Sequence, residues 1–351
     1  MKNKKIAVAV SGGVDSGTAL FLLKKQGYDV VAVFNNYFEC SDAEYSSSCC
    51  SIASERKARE VAEYLDVPYY NIDLRKEFKE KVIEPFVEYY TRGLTPNPCI
   101  WCNSRLRFSL LVDKLNSMGI EYMATGHYAV LKEGRLFRAG DTSKDQSYFL
   151  FDVPRERFKN VIFPVADITK KEVYKIAENE KLPVRDSKES QDCCILMEDN
   201  LSSYLKTNIN MQEGEIIDQK GEVIGGHPGY QNFTIGQRRG FGGLGEKSYV
   251  IGIIPEENRI IVGPDESLFK DGTEIKINPD TFFASRGDEL HVKLRSTHIP
   301  AECSIEDFDF STNICRIKFK QPQRSPAPGQ SAVLYKDDEV VGGGEILKYE
   351  V

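Results

Sequence analysis

The segment Ser11–Ser16, with the sequence Ser-Gly-Gly-Val-Asp-Ser, constrains the fold most, because it joins a predicted strand to a predicted helix. Residues 6–10 are apolar and mostly β-branched, which is typical of a buried parallel strand. Residues 14–25 carry apolar side chains at helical spacing, and Gly27 follows as a stop signal. The two glycines allow a close backbone approach, and a helix N-terminus attracts anions. The segment therefore predicts a phosphate-binding loop, although the Gly-Lys-Ser/Thr ending of a Walker A loop is absent.

Strand and helix patterns alternate through the first part of the chain. The predicted strands after the first are 29–34, 69–74 and 121–125, and the predicted helices are 52–65, 76–90 and 104–118, with shorter ones at 155–160 and 169–181. This order predicts a doubly wound parallel α/β sheet, whose ligands bind at the C-terminal ends of the strands. Ser11, Asn35 and Gly126 each follow such an end, so we expect them to converge on one crevice.

The composition changes after about residue 201, where glycine becomes frequent and β-branched residues alternate with polar ones. We predict three domains, namely 1–202, a small mixed connector 203–274 and an all-β module 275–351. Within the last module, residues 290–295 and 315–320 alternate apolar and basic side chains, which places each basic trio on one face of its strand. These faces are either a solvated surface or a surface for an RNA backbone.

Length, charge and hydropathy limit the class of protein. A chain of 351 residues is expected to form two or three domains. Its net charge of −7 argues against indiscriminate nucleic-acid binding, although a local basic surface is enough for an RNA partner. No apolar run reaches the roughly 18–20 residues that span a bilayer, and the first strand begins too early for a signal peptide. We therefore predict a cytoplasmic protein without a membrane partner.

Nine cysteines in a reducing compartment favour chemistry over disulfides, and six of them cluster at positions 49/50, 99/102 and 193/194. Residues 95–103 (TPNPCIWCN) indicate a proline-stiffened loop that ends at a helix start, where the helix dipole stabilises a thiolate. A zinc site of four cysteines is an alternative, but a gap of about 90 residues between the pairs is unlike compact zinc ribbons. Cys303 and Cys315 alternate with polar residues and are predicted to be small core residues.

Seven ordered motifs resemble the tRNA-specific 2-thiouridylase (MnmA) family of the PP-loop ATP pyrophosphatase superfamily. They are AVSGGVDS, TPNPxxxCN, ATGHY, KDQSYFL, SKESQDxC, GQRRG and PGQSAV. The resemblance implies a PP-loop catalytic domain, a small central domain and a C-terminal β-barrel that binds tRNA. It implies that ATP and Mg²⁺ are used to adenylate O2 of the wobble uridine, which sulfur then replaces with release of AMP and pyrophosphate. The implied partners are tRNAs of the Lys, Glu and Gln type and a cysteine desulfurase or sulfur-relay donor.

The same resemblance assigns roles by motif. Cys102 matches the nucleophile and Cys194 the cysteine that carries a persulfide. The positions that match ATP contacts are Ala9, Val10, Ser11, Gly12, Gly13, Val14, Asp15, Ser16, Asn35 and Gly126. The positions that match the target-base segment are Asn97, Pro98 and Cys99. The positions that match tRNA contacts are His127, Lys144, Asp145, Gln146, Arg295, Ser296 and Gln330.

The chain also departs from the family pattern. Cys99 stands where most relatives have aspartate, Cys193 where an apolar residue is usual, and Asn35 where methionine is common. Two sulfur-delivery routes remain open. A persulfide on Cys194 attacks C2 and Cys102 resolves it, or Cys99, Cys102 and Cys194 hold a [4Fe–4S] cluster whose fourth iron binds hydrosulfide.

Two other function classes would account for part of the sequence. An ATP-dependent amidating or ligating enzyme similar to argininosuccinate synthetase would explain the phosphate loop but not the paired cysteines. A non-catalytic RNA-binding module would leave the intact loop unexplained. Within the loop, Asp15 either assists Mg²⁺ or only completes the first helical turn. The remaining cysteines of the early loop, Cys40, Cys49 and Cys50, have no predicted task.

Overall fold

A computed structural model describes residues 4–37, 52–187, 194–195, 201–240 and 248–347. Contacts between backbone positions divide this part of the chain into two compact units. The first unit takes its described residues from 1–83, 99–198 and 338–340, and the second from 84–98, 199–337 and 341–351. The predicted domain boundaries at residues 202 and 274 stay a prediction, and residues 84–98 group with the second unit rather than with the sheet before them.

A five-stranded parallel sheet in the order β3-β2-β1-β4-β7 forms the centre of the first unit. The strands of this unit are β1 Lys5–Ala9, β2 Asp29–Asn36, β3 Tyr69–Asp73, β4 Tyr122–Thr125, the hairpin β5 Val130–Lys132 and β6 Arg135–Phe137, and β7 Val161–Ile162. Strand β1 lies in the middle, so Ile6, Ala7 and Val8 are almost completely buried. The predicted α/β class with a parallel sheet is confirmed.

Eight α-helices and two π-helices occur in the described residues. They are α1 Val14–Lys25, α2 Ile52–Tyr64, α3 Arg75–Phe78, the π-helix Lys79–Ile83, α4 Glu84–Thr91, α5 Pro98–Trp101, the π-helix Cys102–Leu110, α6 Leu111–Ser117, α7 Lys170–Asn179 and α8 Leu201–Asn208. The predicted bounds of α1 are correct, and Thr169 caps α7 with a reciprocal bond pair to Glu172. The predicted helix 155–160 is wrong in extent, because only a short 3₁₀ turn, Arg155–Phe158, forms.

The second unit contains a small sheet and a closed barrel. Its strands are β8 Gly214–Ile217, β9 Val223–His227, β10 Tyr249–Ile254, β11 Arg259–Gly263, β12 Phe269–Ile277, β13 Leu290–Lys293, β14 Ala301–Asp309, β15 Ile314–Arg324, β16 Ser331–Lys336 and β17 Glu339–Ile346. The first four form a sheet in the order β10-β11-β8-β9. The other six follow the order β12-β15-β14-β13-β16-β17, and pairing of β12 with β17 closes the barrel.

The predicted alternation in the barrel is confirmed on β15. Cys315, Ile317 and Phe319 are buried, and the three basic residues between and after them are exposed. Each of those basic residues pairs with a carboxylate of a neighbouring strand, namely Arg316 with Glu274, Lys318 with Glu306 and Lys320 with Glu302. The positive charge of this face is therefore offset within the barrel itself, which favours a solvated surface over a surface for an RNA backbone.

The cysteines predicted to fill the barrel core do so. Cys303 and Cys315 are both buried, and burial raises the pKa of each thiol to about 12. Such thiols stay protonated and unreactive at neutral pH. No helix in the described part of the chain is long and apolar enough to cross a membrane.

Candidate active site

The loop after β1 has a backbone that only glycine can adopt at its first turn. Gly12 has a φ of +75°, and a Cβ atom there would lie 2.4 Å from the carbonyl oxygen of Ser54. Gly13 caps α1 through its backbone, and the Ser16 hydroxyl donates to the Gly13 carbonyl at 3.1 Å while it accepts from the Ser11 amide at 3.1 Å. The Ser16 hydroxyl therefore stabilises the loop conformation, and the first amides of α1 can donate hydrogen bonds to an anion.

A cavity of about 240 Å³ lies at the C-terminal ends of the parallel strands, and we call it the strand-end cavity. Its lining comes from the loop after β1, the end of β2 and the end of β4, as the sequence predicted. Three further side chains that the sequence did not bring to this crevice also line it. They are Arg107, Gln146 and Lys170.

The end of β4 packs directly on the start of α1. A Cβ atom at Gly126 would lie 2.7 Å from the Ser16 amide nitrogen and 2.8 Å from the Asp15 carbonyl carbon. No side chain larger than hydrogen fits there without a backbone shift. Gly126 thus lets the two segments form one continuous wall of the strand-end cavity.

Asn35 supplies a buried acceptor without a donor. Its side chain is 8% exposed, its amide nitrogen lies 3.4 Å from the Tyr37 hydroxyl, and its carbonyl oxygen has no hydrogen-bond partner. A buried polar atom left in this state costs about 1–3 kcal/mol. A ligand that brings an N–H donor, such as an adenine amine, would remove that cost, so the lining fits an adenine nucleotide.

Asp15 is held by two partners from distant parts of the chain. The Lys170 ammonium donates to both carboxylate oxygens at 2.7 and 2.6 Å, and the Tyr128 hydroxyl donates at 2.8 Å. Lys170 is 7% exposed and lies over the rings of Tyr128 and Tyr174. Asp15 is the one carboxylate among the described lining residues, so it is the residue that would hold Mg²⁺ together with the phosphates.

Sequence reasoning missed Lys170, although one signal pointed to it. Lys170 occupies the first position of α7, next to the cap residue Thr169. The positive end of a helix dipole disfavours a cation there. A lysine placed against its own helix dipole indicates that a carboxylate or another anion lies in front of it, as Asp15 does.

A second polar chain runs from the helix that carries Cys102 to the wall of the cavity. The Arg107 guanidinium donates to the side-chain Oδ1 of Asn103 at 2.8 Å and lies 3.4 Å from Nε2 of His127, whose Nδ1 lies 2.6 Å from the Thr125 hydroxyl. Arginine only donates, so Nε2 accepts and the His127 proton sits on Nδ1. The rings of Phe108 and Phe163 pack against the imidazole.

His127 is therefore a wall residue of the strand-end cavity, and its predicted contact with tRNA stays a prediction. Burial, and then the charge of Arg107, lower the pKa of His127 well below its usual value. The imidazole is neutral at physiological pH and accepts hydrogen bonds at Nε2. The residues that pair with it, Arg107 and Thr125, were not found from the sequence.

The predicted loop around the first cysteine pair is wrong in its later half. The helix begins at Pro98, not near Ser104, because proline at the first helical position lacks only an amide that would be unpaired anyway. Cys99 lies half-buried in the first turn, and Cys102 is 7% exposed at the start of the π-helix Cys102–Leu110. Cys102 is therefore carried by a helix and not by the proline-stiffened loop that the sequence predicted.

Cys194 is half-buried, and Ile195 beside it is 2% exposed. The preceding motif residues 188–193, with Cys193, lie outside the described residues, as do Cys40, Cys49 and Cys50. The segment before the motif is tied to the phosphate loop, because the Ser187 hydroxyl donates to the Gly12 carbonyl at 3.1 Å and accepts from Lys57 at 3.1 Å. The described residues contain no group of three or more His, Cys, Asp or Glu side chains able to hold a metal ion, and a [4Fe–4S] cluster on Cys99, Cys102 and Cys194 stays a prediction.

Two of the sequence motifs, TPNPxxxCN and PGQSAV, meet in the second unit around Thr95. The Thr95 amide donates to the Pro328 carbonyl at 2.9 Å, and the Gln330 side chain donates to the Thr95 carbonyl at 2.9 Å. The Thr95 hydroxyl lies 3.1 Å from that of Thr234, and a Cβ atom at Gly329 would lie 2.9 Å from the Thr95 amide. The segment that leads into Asn97 and Pro98 is thus held by the PGQSAV motif and by Thr234.

The other predicted tRNA positions also make internal contacts. The Arg295 guanidinium donates to the Ile235 carbonyl at 3.1 Å. The Asp145 carboxylate accepts from the Ala139 amide at 3.1 Å, and the side-chain Oε1 of Gln146 accepts from the Tyr128 amide at 3.0 Å. Lys144 and Ser296 are half-buried. Contact of these residues with tRNA stays a prediction.

Comparison with known proteins covers nearly the whole chain. Family models described as tRNA methyl transferase HUP domain, tRNA methyl transferase PRC-barrel domain and aminomethyltransferase beta-barrel domain match residues 4–198, 202–264 and 274–346. The tRNA-specific 2-thiouridylase MnmA of Clostridium perfringens is 39% identical over 358 residues, which cover 99% of each chain. The enzyme of the same name from Caldicellulosiruptor saccharolyticus is 37% identical, over 98% of this chain and 99% of the relative.

Two solved structures align with part of this chain at low identity and low TM-score. A 4-thiouridine synthetase in complex with RNA and bound ATP aligns with a TM-score of 0.36 and 16% identity, over 58% of this chain and 49% of that chain. The NMN synthetase of Francisella tularensis aligns with a TM-score of 0.34 and 17% identity, over 54% of this chain and 67% of that chain. Neither solved structure bears on the function at these TM-scores.

Proposed function

The chain belongs to the tRNA-specific 2-thiouridylase MnmA family, and we propose that it replaces O2 of a tRNA uridine by sulfur at the expense of ATP. The wobble uridine of tRNAs of the Lys, Glu and Gln type is the proposed target. A cysteine desulfurase or sulfur-relay protein is the proposed sulfur donor, and the cytoplasm the proposed compartment. The ligase alternative is not favoured, because the relatives that span the full chain are 2-thiouridylases by name.

One observation of the structure supports this proposal most directly. The strand-end cavity combines an anion-binding loop, a buried acceptor at Asn35 and the helix that begins with Cys99 and Cys102. Arg107 on that helix lines the cavity, so nucleotide and thiol chemistry share one set of elements. An enzyme that activates a carbonyl as its adenylate and then attacks it with sulfur needs this combination.

Activation is the first step of the proposed mechanism. The C2 carbonyl of uracil is a poor electrophile, because its oxygen is a poor leaving group. Transfer of the AMP moiety to O2 makes AMP the leaving group. The amides at the start of α1 would bind the phosphates, Lys170 orients the Asp15 carboxylate, and a bound Mg²⁺ would offset the charge of departing pyrophosphate.

Sulfur transfer follows in the proposed persulfide route. The terminal sulfur of a Cys194 persulfide attacks C2, and AMP leaves with the former O2. The Cys102 thiolate then attacks Sγ of Cys194, which forms a Cys102–Cys194 disulfide and releases the 2-thiouridine. A thiol reductant must reduce this disulfide before the next turnover. The proposed route contains no step through a [4Fe–4S] cluster, since the described residues show no group of side chains able to hold a metal ion.

Sulfur incorporation into unmodified tRNA by the full-length protein tests the proposal. We expect Cys102→Ala and Cys194→Ala each to abolish thiolation, while tRNA-dependent pyrophosphate release continues, because neither thiol is needed for adenylation. Cys303→Ala is the matched control, since this thiol lies in the barrel core and should leave thiolation intact. Full thiolation by both active-site variants, or pyrophosphate release that requires a small amine instead of tRNA, would overturn the proposal.

A further inference from the structure

Cys102 and Arg107 lie five positions apart on the π-helix Cys102–Leu110. In an α-helix, residues five apart are rotated by about 140°. A π-helix has more residues in each turn, so the same two positions lie nearer to one face, and such helices are rare and are frequent at functional sites. The wider helix therefore turns a cation toward the face that carries its first thiol.

Arg107 reaches the strand-end cavity from this helix and is fixed there. It lines the cavity, and its guanidinium is held by Asn103 at 2.8 Å and faces Nε2 of His127 at 3.4 Å. Asn103 is itself 3% exposed and donates to the Phe149 carbonyl at 3.1 Å. A guanidinium positioned by buried neighbours has little rotamer freedom left to lose when it binds a ligand.

Arg107 adds a second cationic side chain to the strand-end cavity. Among the described residues of the lining, Lys170 donates to the Asp15 carboxylate, and His127 is neutral. Arg107 is the other cationic side chain of this lining. A planar guanidinium in a partly enclosed site is suited to bidentate contact with a phosphoryl group.

We propose that Arg107 is a further catalytic residue that binds the α-phosphoryl group of ATP and of the adenylated uridine. This inference rests on the proposed function, because it is the α-phosphorus that becomes bonded to O2 next to the carbon that sulfur attacks. The loop after β1 binds the pyrophosphate end, and Arg107 holds the end of the phosphate chain that faces the Cys102 helix. The contact stabilises the charge that collects on AMP as it leaves.

The affinities of the full-length protein for adenosine and AMP test this inference. We expect Arg107→Gln to weaken AMP binding about 10- to 100-fold, the range for loss of a charge-assisted contact, and to leave adenosine binding unchanged. Arg107→Lys should weaken AMP binding less than Arg107→Gln does, because lysine keeps the positive charge but lacks the planar guanidinium. Single-turnover release of pyrophosphate with unmodified tRNA should fall in the same order.

Arg105→Gln is the matched control. Arg105 lies on the same π-helix, but its guanidinium donates to the Lys81 carbonyl at 3.1 Å and stacks over Trp101, outside the cavity lining. This variant should keep the ratio of AMP to adenosine affinity. If Arg107→Gln and Arg107→Lys leave the ratio of AMP to adenosine affinity unchanged, Arg107 does not bind the phosphate. Thiolation by the unaltered protein tests the proposed function separately.

Discussion

Single side chains far apart in the sequence set the charge of the strand-end cavity. Asp15 and Lys170 are separated by 155 positions, and Lys170 is the more buried of the two. The sequence predicted that Asp15 either binds an ion or only completes the first turn of α1. The structure shows a third role, which is to accept hydrogen bonds from Lys170. The Asp15 carboxylate holds the Lys170 ammonium in place. Because Lys170 occupies one side of this carboxylate, a cation would bind Asp15 from the other side.

Replacement of Lys170 should therefore cost both stability and nucleotide affinity. We expect Lys170→Met to lower the free energy of unfolding by about 1–2 kcal/mol, since Asp15 loses a charged partner while its side chain is 29% exposed and partly hydrated. Urea denaturation and ATP titration measure the two effects. Lys171→Met, on the exposed side of α7, is the control.

A double-mutant cycle separates the pair from other effects of these variants. If Asp15 and Lys170 interact as described, the loss in Asp15→Asn/Lys170→Met will be smaller than the sum of the two single losses. Losses that simply add, or an equal loss in Lys171→Met, would contradict the pairing.

Packing between elements decides where the cavity wall lies. Strand β4 ends at Thr125, and the next residue, Gly126, touches the backbone of α1 with nothing but hydrogen in between. Strand β1 lies between β2 and β4, so the loop after it is flanked by the ends of both neighbours. The cavity therefore depends on the order of the strands as much as on the loop sequence.

A methyl group at Gly126 should separate the end of β4 from the start of α1. We expect Gly126→Ala to lower the free energy of unfolding by about 1–3 kcal/mol, a typical cost of overpacking, and to weaken ATP binding because the first amides of α1 move. Gly140→Ala is the control, since the nearest atom to a Cβ there is the Ala166 carbonyl oxygen at 3.8 Å. Equal behaviour of the two variants in thermal unfolding and ATP titration would contradict this account.

At the scale of the whole molecule, the two units differ in the number of histidines whose pKa is lowered. His127 is the single histidine of the first unit, and His227 and His298 lie in the second. Burial is the main cause that lowers the pKa of all three. Trp101, the one tryptophan of the chain, belongs to the first unit and lets its unfolding be followed alone.

The stability of the first unit should fall as the pH falls from 7 to 5. The unfolded chain binds a proton at His127 below about pH 6.5 and the folded unit does not, so each pH unit in this window costs up to about 1.4 kcal/mol. Urea unfolding followed by Trp101 fluorescence measures this slope. His127→Gln should flatten it and His227→Gln should leave it unchanged, whereas an unaltered slope in His127→Gln would refute the prediction.

Local patterns were enough to predict the parallel sheet, the loop after β1 and the convergence of Ser11, Asn35 and Gly126. Each follows from a short stretch of sequence whose hydrophobic periodicity or glycine content is compatible with only one backbone conformation. The start of the Cys102 helix was misplaced, because proline at position 98 indicates a loop end and a helix start equally well. The π-helical register gave no signal at all, since it depends on what packs around the helix.

The amino-acid sequence by itself therefore determined the fold class, the family and the candidate thiols, because these depend on residues close together or on whole motifs. Only the tertiary structure decided which charges meet in the cavity. Lys170 reaches Asp15, and Arg107 reaches His127, through side chains that no local pattern relates. Such pairs form because folding brings distant elements together, and the free energy of a buried charge depends on the neighbour it meets there.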